Sequence, residues 1–157
     1  MKQNKILLIK SIALPLIVGG VAGLLTRNSM QDFAALRQPP LSPPGWLFPV
    51  VWTILYILMG ISSYLIATSG ANPSAITDAL VVYYIQLAVN FLWSFFFFTF
   101  QWYLFSLIWL ILLWVIIIMM IKAFADISKP AAYLNIPYLL WVTFAAYLNA
   151  GIWLLNR

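Results

Sequence analysis

The 157 residues contain no cysteine, no histidine and no glutamate, and charged side chains make up only 7% of the chain. Zinc, haem, iron–sulfur and thiol chemistry lose their usual ligands, so no metal site is expected, and no disulfide can form. The only acids are Asp32, Asp78 and Asp126, which argues against a Ser/His/Asp triad or a carboxylate dyad. An ordinary soluble domain carries about 25% charged residues. At 65% hydrophobic residues with mean hydropathy +1.01, this chain could not cover a soluble domain's surface. It reads as an integral membrane protein. The net charge of +5 rests on Lys and Arg near segment ends, which fits topology and anionic headgroups and gives no nucleic-acid patch.

A bilayer core about 30 Å thick requires roughly 20 apolar residues of helix. Five stretches satisfy this: Ile6 to Leu25, Leu47 to Ala67, Leu80 to Phe100, Tyr103 to Ala125, and Tyr133 to Leu155. Backbone groups in lipid must bond within their own segment, and runs such as Trp109 to Ile121 do not alternate as barrel strands would, so the expected fold is all-α, a single domain of five transmembrane helices over residues 1–157. Lys2, Lys5 and the following run also admit a signal-peptide reading, with Val21-Ala22-Gly23 as a cleavage site. Lys10 and the length of the run favour a retained span. With five spans, Lys2, Lys5, Lys10, Lys122 and Lys129 share one side and Arg27, Arg37 and Arg157 the other. That bias favours a cytoplasmic N-terminus.

Five of the nine prolines crowd positions 39 to 49, predicting a stiff, extended lid after the first span. Gln101-Trp102 reads as a tight hairpin and Asp126 to Ala132 as a short turn. The fourth span, apolar apart from Ser106, is expected to be the most lipid-exposed and to offer no polar site. Gly19 and Gly23 form a small-xxx-small pair that permits close helix approach, within the chain or between copies.

Polar groups inside lipid are costly and face the bundle interior or a cavity. Helical spacing aligns three such stripes: Trp52, Tyr56, Met59 and Ser63; Gln86, Asn90, Trp93 and Phe97; and Tyr138, Trp141, Ala145 and Asn149. Each stripe alone suits interhelical hydrogen bonding, and Trp46, Trp102 and Trp153 suit interface anchors. Together the stripes suit an apolar, aromatic-walled pocket with a few orienting polar groups.

Leu36-x-x-Pro39-x-x-x-Pro43-Pro44-x-Trp46, followed by Val51-Trp52-x-x-Leu55-Tyr56, resembles the first-loop and second-helix signature of the TspO/MBR translocator proteins. Gln86-Leu87-x-x-Asn90-x-x-Trp93 resembles that family's third helix, and Pro137-Tyr138-Leu139-x-Trp141-x-x-Phe144-Ala145-x-x-Leu148-Asn149 its fifth. The resemblance implies a five-helix bundle in a bacterial cell membrane. It implies a homodimer that needs no cofactor and binds a hydrophobic small molecule: tetrapyrroles such as protoporphyrin IX, and benzodiazepine- or isoquinoline-type compounds. The pocket residues it implies are Trp46, Trp52, Tyr56, Asn90, Trp93, Trp141, Ala145 and Leu148, with Phe105 in place of a wall tryptophan. Gln86, Tyr138 and Asn149 join them from the stripes. Trp52 and Trp141 correspond to a tryptophan pair linked to light- and oxygen-dependent porphyrin breakdown. The chain departs from the family pattern at Leu41, commonly aromatic, and at Trp109, where several relatives have an acid. Tyr147 is followed by no basic residue until Arg157, which does not fit the cholesterol motif of animal members. Transport of porphyrins or other hydrophobic solutes is the alternative function.

Overall fold

The computed structural model describes residues 2–157. Its elements are α1 (Lys2–Thr26), a 3-10 turn (Arg27–Ser29), α2 (Met30–Ala34), α3 (Leu47–Ala67), α4 (Pro73–Ser94), a π turn (Phe95–Thr99), α5 (Tyr103–Ile127), α6 (Lys129–Tyr133) and α7 (Ile136–Leu155). There is no strand among the described residues. Five helical stretches are long and apolar enough to cross a membrane, so this is a multi-pass all-α protein. Their alternation places Arg27, Arg37 and Arg157 at one end of the bundle, the arginine end, and Lys5, Lys122 and Lys129 at the other, the lysine end.

The helix boundaries follow local chemistry. Asn72 accepts from the Ser74 amide at 3.0 Å and Pro73 occupies the first turn, so α4 begins earlier than the apolar run indicated. Ser128 caps α6 by accepting from the Ala131 amide at 3.4 Å, turning the expected loop into a short helix. At the other end of α4 the helix widens: the Phe100 amide donates to the Phe95 carbonyl at 2.8 Å and that of Trp102 to Phe96 at 2.9 Å. The expected hairpin at Gln101-Trp102 is thus the exit of a π turn, with Gln101 left-handed at φ 55.

Close helix contacts are made where side chains are missing. Pro15 has no amide to donate to the Ser11 carbonyl, and α3 approaches at that level through Gly60. A Cβ on Gly60 would lie 2.7 Å from the Ser11 oxygen and 2.5 Å from the Ile12 Cα. Gly19 is likewise filled by the Tyr56 ring, so this half of the small-residue pair serves contact within the chain; a side chain on Gly23 would meet nothing within 4 Å.

The fourth span corrects an expectation. Ser106, Leu110, Leu113, Ile117, Met120 and Phe124 recur on one face of α5, all buried, where it packs against α4, α6 and α7. The most lipid-exposed span is instead the first: 11% of its apolar window is buried, against 28–33% in the others. An apolar helix without polar residues is ambiguous in lipid, because its packed and lipid-facing sides have the same composition.

Candidate functional site: an aromatic cavity at the arginine end

The three stripes face one another, and each divides at mid-bundle. Toward the lysine end they close into a packed seam. The Tyr138 hydroxyl donates to Gln86 Oε1 at 2.7 Å, and the Gln86 amide reaches the Met59 sulfur at 3.8 Å. One turn further, Asn135 donates to Ser62 Oγ at 2.7 Å, and Ser62 donates to the Ala131 carbonyl at 2.7 Å. Toward the arginine end the stripes diverge around a cavity of about 550 Å³.

Trp52, Tyr56, Asn90, Trp93, Trp141, Ala145, Leu148 and Asn149 all line this cavity. The Trp52 ring stacks on Tyr56, with centroids 5.5 Å apart, and meets Tyr138 edge-on at 6.2 Å. Trp93 stacks on Phe97 at 5.2 Å. Polar groups in the wall are mostly paired: Asn90 donates to the Tyr56 hydroxyl at 3.4 Å, and Asn149 accepts from Trp93 Nε1 at 3.2 Å and from Ser106 Oγ at 3.1 Å. The Asn149 amide then donates to the Tyr103 carbonyl at 2.8 Å. Ser106 thus gives α5 the polar contribution that its sequence had not suggested. The indole nitrogen of Trp141 is buried without a partner among the described residues.

Four expected residues lie elsewhere. Gln86 and Tyr138 are 0% exposed and belong to the seam beneath the floor. Trp46 is 68% exposed and outside the lining, which fits its reading as an interface anchor. Phe105 is 43% exposed and packs on Phe96 and Trp109, lining a separate surface groove with Trp102 and Trp153. Leu148 and Asn149 reach the cavity because they sit one helical turn above Ala145.

The first helix supplies a wall that the three stripes do not include. Leu16, Gly19, Gly20, Gly23 and Thr26 form one wall, with small residues that enlarge the cavity. Their signal was present as a glycine-rich face, but glycine spacing reads equally as helix–helix contact. The roof also differs from expectation. It is α2, not the proline segment: Met30 and Phe33 line the cavity, and Phe33 meets Phe97 at 5.6 Å, Phe98 at 5.5 Å and Phe48 at 6.4 Å. None of residues 35–46 lines it. Pro39 to Pro44 run outside, Pro39 and Pro40 meeting α7, while Pro49 in the first turn of α3 lines the cavity.

No lining residue is Asp, Lys or Arg, and no cluster among the described residues could hold a metal ion. What the cavity offers is flat aromatic surface and a few amides, a chemistry of binding and of electron-rich rings.

The sequence profile of the TspO/MBR family matches residues 11–154. The chain belongs to the TspO/MBR family. It is 40% identical over 157 residues to the tryptophan-rich protein TspO of Chlorobaculum tepidum, covering 99% of each chain. It is 36% identical over 127 residues to the translocator protein of Ovis aries, covering 80% of this chain and 75% of that one. The tryptophan-rich sensory protein of Cereibacter sphaeroides is 34% identical over 121 residues, covering 77% and 74%. TspO/MBR membership therefore extends over both the cavity and the seam beneath it.

Proposed function

We propose that this TspO/MBR protein is a membrane receptor whose cavity binds a flat, hydrophobic aromatic molecule of the tetrapyrrole class, protoporphyrin IX being the first to test, and also takes benzodiazepine- or isoquinoline-type compounds. The observation that carries the reading is a cavity of about 550 Å³ with three indoles, Trp52, Trp93 and Trp141, on its wall. That volume lies within the range of small-molecule sites, roughly 300–1,000 Å³. Indole faces stack on a macrocycle, each such contact contributing about 0.5–1.5 kcal/mol beyond area burial.

The test is titration of the purified protein in lipid nanodiscs with protoporphyrin IX, following tryptophan fluorescence. Saturable quenching that falls with Trp141→Ala supports the reading; quenching that grows linearly and ignores Trp141 refutes it. A second reading, light- and oxygen-dependent breakdown of the bound macrocycle, draws on Trp52 and Trp141 as electron-donating rings on the cavity wall. Product formation under illumination, compared with darkness and with oxygen removed, tests it. Solute transport is the rival, and flux into liposomes separates it from binding.

We also propose residence in a bacterial cell membrane, with the lysine end cytoplasmic by the positive-inside bias, and association as a homodimer.

A further inference from the structure

We propose that the cavity has a latched lid, and that the latch is Asn156, a residue that does not touch the cavity. The lid is the 3-10 turn and α2, residues 27–34, followed by the proline segment. On its own α2 is weakly held, because five residues cannot sustain a helix and only Met30 and Phe33 enter the bundle. What fixes its far end is a set of contacts with α7, about 120 residues later in the chain. Asn156 Oδ1 accepts from the Arg37 amide at 2.9 Å, and Asn156 Nδ2 donates to the Arg37 carbonyl at 2.9 Å, so one side chain holds both backbone groups of one residue. Pro39 then seats on Gly151, where a Cβ would lie 2.5 Å from the proline Cβ. The Tyr147 hydroxyl donates to the Pro40 carbonyl at 2.6 Å.

These contacts differ in kind from those of the roof itself. Phe33 is held by rings and apolar surface, which a hydrophobic ligand replaces readily. The strap is held by directional bonds at the exposed arginine end, where water competes for them. Opening therefore requires release of Arg37 from Asn156, after which the 3-10 turn at Arg27–Ser29 is the pivot. The inference rests on the cavity being a ligand site, but its mechanical part is testable without any ligand.

The absence of cysteine makes the experiment clean. Ala145→Cys places a single thiol on the cavity wall, and its labelling rate by a small methanethiosulfonate reports opening. Adding Asn156→Ala should raise that rate about tenfold, the scale of change that two exposed hydrogen bonds sustain. The reporter combined with Tyr147→Phe, which removes only the bond to the Pro40 carbonyl, should label about threefold faster, read at position 145 by peptide mass. In parallel, protoporphyrin IX should bind and leave Asn156→Ala faster by similar factors, with its Kd within about threefold of the parent. Equal labelling rates in the reporter alone, with Asn156→Ala and with Tyr147→Phe would overturn the latch and route access through the wall beside Gly20 and Gly23. If Asn156→Ala does not fold, Tyr147→Phe decides the matter. Labelling that follows the latch while protoporphyrin IX fails to bind would sink the porphyrin reading alone.

Discussion

Trp93 on α4 and Asn149 on α7 are joined in the cavity wall by an indole-to-amide hydrogen bond of 3.2 Å, and the same Asn149 oxygen also accepts from Ser106 on α5. Its amide donates to the Tyr103 carbonyl, so one side chain ties three helices together. In lipid no water can replace these bonds, although each is worth only about 0.6–2 kcal/mol.

Asn149→Leu should therefore destabilise the fold by about 1–3 kcal/mol, because it strands the buried Trp93 N–H as well as losing its own bonds, while the Ser106 hydroxyl keeps the Tyr103 carbonyl at 2.9 Å. Ser106→Ala, which removes one partner of an oxygen that keeps another, should cost less than half as much. Thermal unfolding in a single detergent, followed by near-ultraviolet circular dichroism, ranks the two.

Gly60 and Gly23 should respond oppositely to the same added methyl. Gly60→Ala forces α3 away from the Ser11 carbonyl and should cost about 1–3 kcal/mol by overpacking. Gly23→Ala enters open space and should leave stability unchanged or slightly raised by helix propensity. The same unfolding assay distinguishes them.

Leu41 stands at the third position of a turn closed by the Ser42 amide on the Pro39 carbonyl at 3.3 Å, with φ 68. A left-handed backbone costs an L-residue with an ordinary side chain roughly 1–2 kcal/mol, and glycine far less. Leu41→Gly should raise the unfolding midpoint modestly, and a decrease would show that the exposed leucine makes a contact with lipid that outweighs the strain.

Trp141→Phe keeps an aromatic wall and should bind protoporphyrin IX within about tenfold of the parent, a difference of ~1.4 kcal/mol. Light-dependent loss of the macrocycle should fall sharply in the same variant. Gln86→Leu, beneath the floor, should weaken thermal stability by stranding the Tyr138 hydroxyl while leaving affinity within about twofold. Fluorescence titration and absorbance under illumination supply both readings.

For a neutral isoquinoline-type probe, affinity should be flat between about pH 5 and 9, because no carboxylate, imidazole, lysine or arginine lines the cavity. A titration step inside that window would mean that a charged group from outside the lining reaches the ligand.

Homodimer formation is tested by chemical cross-linking in native membranes at low expression. A paired species is expected, and a protein that remains monomeric there refutes it. Gly19 no longer argues for the pair, since the Tyr56 ring of the same chain fills it.

The five spans were legible because the solvent sets their length and the backbone has no alternative to helix. The stripes were legible because buried polar residues are rare enough in lipid for their spacing to stand out. Their division was not: periodicity shows that Gln86 and Asn90 share a face, but not that α3, α4 and α7 close around one and part around the other. That depends on Gly20 and Gly23, whose missing side chains leave open space beside α1, a property of residues that leave no apolar signature. The π turn was hidden for a similar reason, since a run of four phenylalanines fits a helix of either pitch. The roof escaped because proline content marks stiffness, while the closing residue, Phe33, is one aromatic in a short polar stretch.

The seam of Met59, Gln86 and Tyr138 has an electrical meaning. Every cavity-lining residue on α3 precedes it and every one on α7 follows it, so the space is a blind well sunk from the arginine end. Below it Ile66, Tyr83, Ile117, Met120 and Phe124 are packed without exposure to solvent or lipid beyond 1%. An ion entering the well would face the lower half of the bilayer with no continuous wet path, so a planar membrane carrying this protein should stay at its background conductance, with the applied voltage falling mainly across that plug.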